Sequence, residues 1–386
     1  MRKSSLSSCI ALSMAMGFQV AGVAATAAFA VDDIEVCPAS AQVLDPEFDS
    51  KSQLMTFMDA KARLRVTSIQ GDGKVGPAGC GGRVIDQGSW GWPGNTGGYN
   101  GPEWARSQQG LEIYYVKFLD DGITPALARA WGNGGGWQTE FLADGANRAT
   151  ILTSTDDADP QARLMYLRRM PSGGLLSFWR ESTEPSTETY YPGAFNRSTG
   201  SAPRWIAGQR AISLVVRDAN GVSQAARYFI DTQTLEVLTS DAGNKAEVWI
   251  WSAPEFGSDL VLTTIVDGCC LRVYRQQGAA WELINSIDAP SFSSLTSIFS
   301  PEPVVYKGRS YVALQVGNEL MDPASQIWVT SIDPAAPLLR QISNPGVDAI
   351  RTEPEWMLTR LGAFVYYSLQ DRPFGKSLRR AAAGLP

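Results

Sequence analysis

The composition of the chain excludes several classes of protein. Its 386 residues are 44% hydrophobic and 19% charged, and 37 glycines with 22 prolines indicate a packed protein with many tight turns. The chain has no histidine, which excludes nucleophiles activated by imidazole and metal sites built on imidazole. A formal net charge of -6 without basic runs argues against a nucleic-acid partner.

Residues 1–30 have the features of a secretory signal. Arg2 and Lys3 precede an apolar, alanine-rich run, and the segment ends in Ala28-Phe29-Ala30, a small-x-small pattern typical of a cleavage site. The run is too interrupted for stable membrane insertion. We therefore predict a signal peptide over 1–30 and a single mature domain over 31–386, located in the periplasm or secreted. Removal of two positive charges and no negative ones takes the net charge from -6 to -8.

A repeating unit organises the mature chain. In residues 101–118 a Pro-Glu-aromatic start is followed by a polar turn and an alternating apolar strand. Comparable starts are Pro46-Glu47-Phe48, Pro203-Arg204-Trp205, Pro254-Glu255-Phe256, Pro301-Glu302-Pro303 and Pro354-Glu355-Trp356, with a degenerate one near Asn147. Pro46 and Pro354 lie 308 residues apart, or six periods of about 51. Strand-like repeats of this length predict an all-β propeller of four-stranded sheets.

The strand pattern of each period sets the expected number of blades. In the second period, strands are predicted over 103–106, 111–118, 125–131 and 137–142. The last period has too few residues for four strands, and residues 34–44 precede the first start without a blade of their own. We therefore predict seven blades, closed by an N-terminal strand that joins the last one. Six blades remain the alternative if the start near Asn147 is an insertion.

The Pro-aromatic start, polar turn and apolar second strand resemble the repeats of TolB-type propellers, over roughly residues 45–369. The polar turn has drifted from the Ser-Pro-Asp-Gly of those repeats. The resemblance implies the blade fold, an extracytoplasmic location and a ligand site around the central channel. It implies no particular chemistry, because the class includes scaffolds, lectins and enzymes.

Glutamates recur at one place in five of the periods, which predicts a ring where the blades converge. They are Glu47, Glu103, Glu255, Glu302 and Glu355. Such a ring suits Ca²⁺ binding, or the acid and base of a glycosidase. The Pro-Glu segments resemble those of arabinanase and invertase-like glycosidases, and Glu103 and Glu255 are the candidate catalytic pair. The alternative is that the glutamates bond to the backbone at repeated blade junctions.

Aromatic residues supply the candidate ligand contacts. The insertion 71–100, the longest irregular stretch, includes Trp90, Trp92 and Tyr99, and Trp131 and Trp137 follow on the next blade. Aromatic side chains on a long loop can stack against sugar faces. The alternative is that they pack the loop onto its own blade. The periodic aromatics that follow the repeated glutamates are expected to pack between blades.

The cysteines fit an exported protein. Cys37 and Cys80 are a candidate disulfide that ties the N-terminal segment to the insertion. The adjacent Cys269 and Cys270 could form a vicinal disulfide, but we expect two thiols on opposite faces of a strand.

These observations favour a propeller that binds an extended extracytoplasmic ligand, most simply a saccharide, at one mouth of its channel. A glycoside hydrolase and a periplasmic scaffold for a protein partner are the alternatives. The sequence does not identify a cofactor, and it assigns no residue as a metal ligand.

Overall fold

The computed structural model describes residues 32–89, 101–107, 110–120, 125–132, 136–142, 149–156, 163–169, 175–181, 188–190, 203–346, 348–372 and 375–386. Of these, 149–156, 167–169, 175–181, 190, 371–372 and 375 are described by their backbone alone. All the described residues belong to one compact unit, residues 31–386.

Strands of the described residues form seven four-stranded antiparallel sheets. The first sheet has β2 (Val43–Asp49), β3 (Leu54–Asp59), β4 (Arg63–Ser68) and β5 (Arg83–Gln87). The second has β6 (Glu103–Ser107), β7 (Gly110–Phe118), β8 (Pro125–Gly132) and β9 (Trp137–Phe141). The third has β10 (Ala149–Asp156), β11 (Arg163–Arg169), β12 (Leu175–Glu181) and β13 (Thr189–Tyr190). The fourth has β14 (Arg204–Trp205), β15 (Ala211–Arg217), β16 (Ser223–Phe229) and β17 (Thr234–Val237).

The remaining sheets follow the same order of strands. The fifth has β18 (Lys245–Ala253), β19 (Asp259–Val266), β20 (Cys270–Gln277) and β21 (Ala280–Asp288). The sixth has β22 (Ser297–Tyr306), β23 (Arg309–Gly317), β24 (Gln326–Ser331) and β25 (Leu339–Gln341). The seventh has β26 (Ile350–Thr359), β27 (Gly362–Arg372) and β28 (Gly375–Ala382), with β1 (Asp33–Cys37) as its outer strand.

The first strand of each period is its inner strand, and neighbouring sheets contact each other along these strands. β2 contacts β6, β6 contacts β10, β10 contacts β14, and β26 contacts both β22 and β2. The apolar core is divided among the interfaces between sheets. One cluster joins Val261 and Leu271 of the fifth sheet to Val312 and Leu314 of the sixth, and other clusters occupy other interfaces. Each sheet is therefore stabilised mainly by its two neighbours.

The N-terminal strand joins the last sheet, where the sequence places it. β1 pairs antiparallel with β28, while Val43 and Leu44 belong to β2. The carboxylate of Asp33 accepts hydrogen bonds from Arg379 Nε at 2.6 Å, Tyr367 Oη at 2.6 Å and the Asn344 amide at 2.8 Å. The expected Cys37–Cys80 disulfide is present, with the two Cα atoms 5.5 Å apart.

The insertion 71–100 was predicted as irregular, but it contains β5. Its first residues are hydrogen-bonded to the seventh sheet. The carbonyl oxygen of Gly71 accepts a hydrogen bond from Thr359 Oγ1 at 2.6 Å, and that of Gly73 accepts one from Tyr366 Oη. Gly73 has φ +75°, and a Cβ there would lie 2.7 Å from Arg380 Cδ. Glycine is favoured at this position because the positive φ strains residues with a Cβ, and the Arg380 side chain would also have to move.

Candidate functional site

Three of the predicted Pro-Glu starts lie within their inner strands, whereas Glu103 is the first residue of β6. β2, β22 and β26 begin four or five residues before Glu47, Glu302 and Glu355, and each is irregular just before the glutamate. The proline occupies this β-bulge, where a residue without an N–H group costs no ladder hydrogen bond.

The bulge holds a non-glycine residue in the left-handed region on four inner strands. Asp45 has φ 46°, Glu247 φ 51°, Ser300 φ 44° and Glu353 φ 57°. Such conformations cost about 1–3 kcal/mol each and persist where the surrounding structure imposes them. In the second sheet Gly101 holds this place, and a Cβ there would lie 2.6 Å from the carbonyl oxygen of Asp45. Three of these residues are acidic, so the bulges bring additional carboxylates to the inner strands.

The glutamates of four consecutive sheets form an acidic arc, which we define as Glu302, Glu355, Glu47 and Glu103. They lie on the sixth, seventh, first and second sheets. Glu47 experiences the charges of Glu355, Glu103 and Glu302, so the four side chains converge from separate sheets. The predicted ring is therefore an arc over part of the circle.

Burial dominates the ionisation of the arc. Burial raises the pKa of Glu302 to about 8; Arg204 opposes the rise, and Glu247 and Glu103 add to it. Burial and the neighbouring acids hold the pKa of Glu47 and of Glu355 well above the usual range. Each of these side chains keeps partial exposure while the sheets surround it. Near neutral pH the arc therefore retains protons and presents carboxylic acid groups.

Arg204 provides a positive charge for the arc from the fourth sheet. Arg204 Nη2 lies 3.1 Å from Glu247 Oε2, and the guanidinium carbon lies 3.9 Å from the centre of the Trp249 ring. Glu247, Glu302 and Glu103 raise the pKa of Arg204 despite its burial, so it stays cationic. Trp249 holds the place on the fifth sheet that a glutamate holds elsewhere, since its strand has the same irregularity. The site therefore has an acidic side and an Arg–Trp side.

A second tier of acids lies two residues before the first. Burial and Glu353 raise the pKa of Asp45 to about 7, while Lys376 opposes the rise. Glu353 accepts hydrogen bonds from Ser368 Oγ at 3.0 Å and from Lys376 Nζ at 3.3 Å. Asp45, Glu353, Glu247 and Trp249 were not predicted as site residues. Three of them could have been found from the sequence, because Asp45, Glu247 and Glu353 are acidic residues two places before a ring position.

Glu255 lies outside the site, so the structure does not bring the predicted pair Glu103 and Glu255 together. It lies on a short 3-10 turn, Pro254–Phe256, after β18 ends. Its carboxylate accepts hydrogen bonds from the Ser310 amide at 2.7 Å and Ser310 Oγ at 3.1 Å. This matches the alternative of a glutamate bonded to the backbone at a sheet junction. The Pro-Glu-Phe sequence has the residues of the repeated start, but it lies six residues after Trp249, which holds the ring position in this sheet.

The aromatics that follow the repeated glutamates join neighbouring sheets. Trp104 Nε1 donates to the carbonyl oxygen of Glu47 at 3.0 Å, and Trp356 Nε1 donates to that of Glu302 at 2.8 Å. Trp205 is buried against Met165 of the third sheet. These side chains pack between sheets, as expected.

The predicted ligand-binding aromatics are dispersed or lie outside the described residues. Trp137, on the outer strand of the second sheet, packs with Trp104, their ring centres 6.3 Å apart. Trp131 is on the third strand, with the Arg129 guanidinium 4.4 Å above its ring. Neither lies on an inner strand with the arc. Trp90, Trp92 and Tyr99 lie outside the described residues.

Cys269 and Cys270 form a disulfide, which corrects the expectation of two thiols. Val266 pairs with Cys270, so Cys269 lies in the turn and outside the ladder. The two sulfur atoms were expected to lie on opposite faces of a strand, but this alternation does not apply to a residue in the turn.

The described ranges contain no group of three cysteine or acidic side chains placed to hold a metal ion. They also contain no helix with the length and hydropathy needed to span a membrane.

Neither family models nor curated proteins match this chain. Solved structures do match. A prolyl endopeptidase is 14% identical with a TM-score of 0.54, over 90% of this chain and 48% of that one, so this chain spans about half of its length. The β-propeller domain of the Trilobed protease from Pyrococcus furiosus is 10% identical with a TM-score of 0.51, over 90% and 96%. That domain is described as having an open velcro topology, whereas here β1 pairs with β28.

TolB from Acinetobacter baumannii is 11% identical with a TM-score of 0.40, over 73% of this chain and 63% of that one. At such identities the likenesses concern the fold alone, and the predicted membership of a TolB-type family has no support from a family model. The sheets, their order and these neighbours together make the chain a β-propeller.

Proposed function

We propose that this protein is an exported, seven-bladed β-propeller that binds a saccharide in its central channel through the acidic arc and Arg204. Seven sheets, each in contact with the next and the seventh in contact with the first, support one closed ring of blades. The signal-like residues 1–30 and two disulfides support export to the periplasm or beyond.

The observation that carries the proposal is the convergence of the four arc glutamates with Arg204. Carboxylic acid groups offer both donors and acceptors to sugar hydroxyl groups. A guanidinium adds planar, paired donors. Trp90, Trp92 and Tyr99 remain candidates for stacking at the channel mouth.

Calorimetric titration with oligosaccharides chosen from a glycan array tests this function. Glu302→Leu and Arg204→Met should each weaken binding at least about tenfold, since each removes a buried polar contact worth about 1.5–3 kcal/mol. Glu282→Leu, at an exposed position of β21, is the matched control and should bind normally. Absence of any glycan signal, together with retention of one protein partner in pull-downs, would instead support a scaffold.

A glycoside hydrolase is the second candidate, and the raised pKa of Glu302 favours it. A carboxyl with a pKa of about 8 keeps its proton at neutral pH and can act as a general acid. Its neighbour Glu103 would be the second carboxyl group, in place of Glu255. Reducing sugar released from polysaccharides by the wild type, and lost in Glu302→Gln and Glu103→Gln but not in Glu255→Gln, would establish hydrolysis. Binding without release would leave a binding protein.

A further inference from the structure

A groove lies between the fourth and fifth sheets, at the ends of their strands. Its volume is about 500 Å³, within the ~300–1,000 Å³ of small-molecule sites. Its lining includes Phe229, Leu260, Gln209, Gln276, Asp231 and Arg227. None of these residues belongs to the acidic arc, so any ligand here is independent of the channel.

The charges in and around the groove are paired. Arg210 Nε lies 2.7 Å from both carboxylate oxygens of Asp231, and Arg227 Nε lies 2.7 Å from Glu236 Oε2. Next to the groove, Arg275 Nη2 lies 2.7 Å from Asp259 Oδ2. Three arginines thus face three carboxylates. The groove therefore has no excess charge to select an ion, and its planar polar groups are held in fixed orientations.

An apolar surface accompanies these polar groups. Phe229 and Leu260 are both partly exposed and pack on the cluster that includes Leu262 and Tyr274. The Arg227 guanidinium lies 4.8 Å from the centre of the Phe229 ring and fixes that ring from one side. Trp281 packs on the same cluster, and its ladder partner is Gln276.

We propose that this groove is a binding site for a neutral saccharide of one or two sugar units, separate from the channel. Sugar rings present apolar C–H faces and vicinal hydroxyl groups on the same small molecule. Phe229 and Leu260 match the faces, and the amides of Gln209 and Gln276 with the Arg210–Asp231 pair match the hydroxyl groups. The charge balance selects a neutral sugar over a sulfated or acidic one.

Fluorine NMR of protein labelled with 5-fluorotryptophan tests this site. Trp281 is the reporter, because its ring lies 5.9 Å from the Arg227 guanidinium carbon, and Trp281→Phe assigns its resonance. The probes are cellobiose, maltose and N,N'-diacetylchitobiose, titrated to about 10 mM, which detects millimolar dissociation constants. At least one of them should shift the Trp281 resonance with saturation.

The variants separate this site from the channel. Phe229→Ala should weaken the binding at least tenfold and Gln276→Ala about three- to tenfold, whereas the channel variant Glu302→Gln should leave it unchanged. Because Phe229→Ala also removes core packing, Gln276→Ala decides if that variant does not fold. The proposal is overturned if no probe shifts Trp281, if only charged sugars do, or if the shift persists unchanged in Gln276→Ala. A Trp249 resonance that responds alone supports the channel and rejects the groove.

Discussion

The ionisation of a single carboxyl group connects this fold with its chemistry. Glu302 is placed by a bulge on β22, enclosed by the neighbouring sheets and opposed by Arg204, with Glu103 close enough to disfavour a second negative charge. An exposed glutamate would release its proton near pH 4.3. Glu302 keeps its proton because its own charge would be buried among other acids, so its position in the fold sets its state.

The stability of the protein should therefore fall as the pH rises from about 5 to about 8. The folded protein holds protons on Glu302, Glu47 and Glu355 that the unfolded chain has released, so the free energy of unfolding decreases with pH in this range. We expect the melting temperature to drop by several degrees between pH 5.5 and pH 8.5, measured by calorimetry in buffers of equal ionic strength.

Replacement of one arc glutamate should reduce this dependence. Glu302→Gln keeps the shape of the side chain and carries no charge, so the variant should be more stable than the wild type at pH 8.5 and similar at pH 5.5. Glu282→Gln on the exposed outer strand should follow the wild-type profile. A wild-type melting temperature that rises between pH 5.5 and pH 8.5 would contradict the buried arc.

At the scale of the strand, the tryptophan that follows an arc glutamate forms a hydrogen bond to the neighbouring sheet and so fixes the two sheets relative to each other. Trp356 belongs to the seventh sheet and donates its indole N–H to the Glu302 carbonyl of the sixth. The acceptor is the backbone of an arc residue, so the same contact that packs two sheets also fixes the location of the carboxyl group.

Trp356→Phe should lower the free energy of unfolding by about 1–2 kcal/mol, since it retains the aromatic packing and leaves the Glu302 carbonyl without its donor. Urea unfolding at pH 7 measures the change. Trp281→Phe is a matched control, because Trp281 Nε1 has no hydrogen-bond partner among the described residues. Equal losses in the two variants would show that ring volume, and not the hydrogen bond, is responsible.

The inner strands also show how far the sequence predicts this structure. The strands of the second sheet match those predicted to within one residue, because alternation and Gly-rich turns are local properties. The bulge is not local. The position of a bulge depends on the register with a partner strand. For β2, β22 and β26 the predicted start therefore lay at the proline, whereas each strand begins several residues earlier.

The fifth sheet illustrates the limit most clearly. Pro254-Glu255-Phe256 has the residues of the repeat, whereas the ring position is filled by Trp249 after Glu247 and Val248, without a proline. Only the register of β18 with β19 shows that Trp249, and not Glu255, holds the ring position. The same long-range dependence hid Arg204 and the second tier of acids, since their role arises from sheets that are far apart in sequence.

At the scale of the whole molecule, stability depends on joining the two ends of the chain. Asp33 is the centre of that junction: its side chain is 1% exposed and it pairs with Arg379 of the last strand. The pair of Asp231 with Arg210 provides the contrast, because its two side chains are 57% and 40% exposed.

Asp33→Ala should lower the free energy of unfolding by about 3–5 kcal/mol, because it leaves the charge of Arg379 and the hydroxyl of Tyr367 without their partner. Asp231→Ala, which breaks a pair exposed on both sides, should cost less than about 1 kcal/mol, since an exposed ion pair contributes little. Guanidinium unfolding of both variants gives the comparison. Similar small losses in the two would mean that β1 adds little to the closure.

The two disulfides should contribute very differently to the stability of the protein. Cys37 and Cys80 are 43 residues apart, and the bond joins the strand that closes the last sheet to the insertion of the first. Cross-linking a loop of this length restricts the unfolded chain by about 4 kcal/mol, with a typical measured gain of about 2–4 kcal/mol. Cys269 and Cys270 are 1 residue apart and enclose no such loop.

The double variant Cys37→Ser with Cys80→Ser should therefore lose about 2–4 kcal/mol of unfolding free energy, and Cys269→Ser with Cys270→Ser less than about 1 kcal/mol. Guanidinium unfolding without reductant measures both, and adding a reductant to the wild type should reproduce the larger loss. If the vicinal pair costs as much as the long-range pair, its bond stabilises the folded turn itself. If removal of Cys37–Cys80 costs less than about 1 kcal/mol instead, the attachment of the N-terminal strand depends on the pairing of β1 with β28 and on Asp33, because the covalent link adds little beyond them.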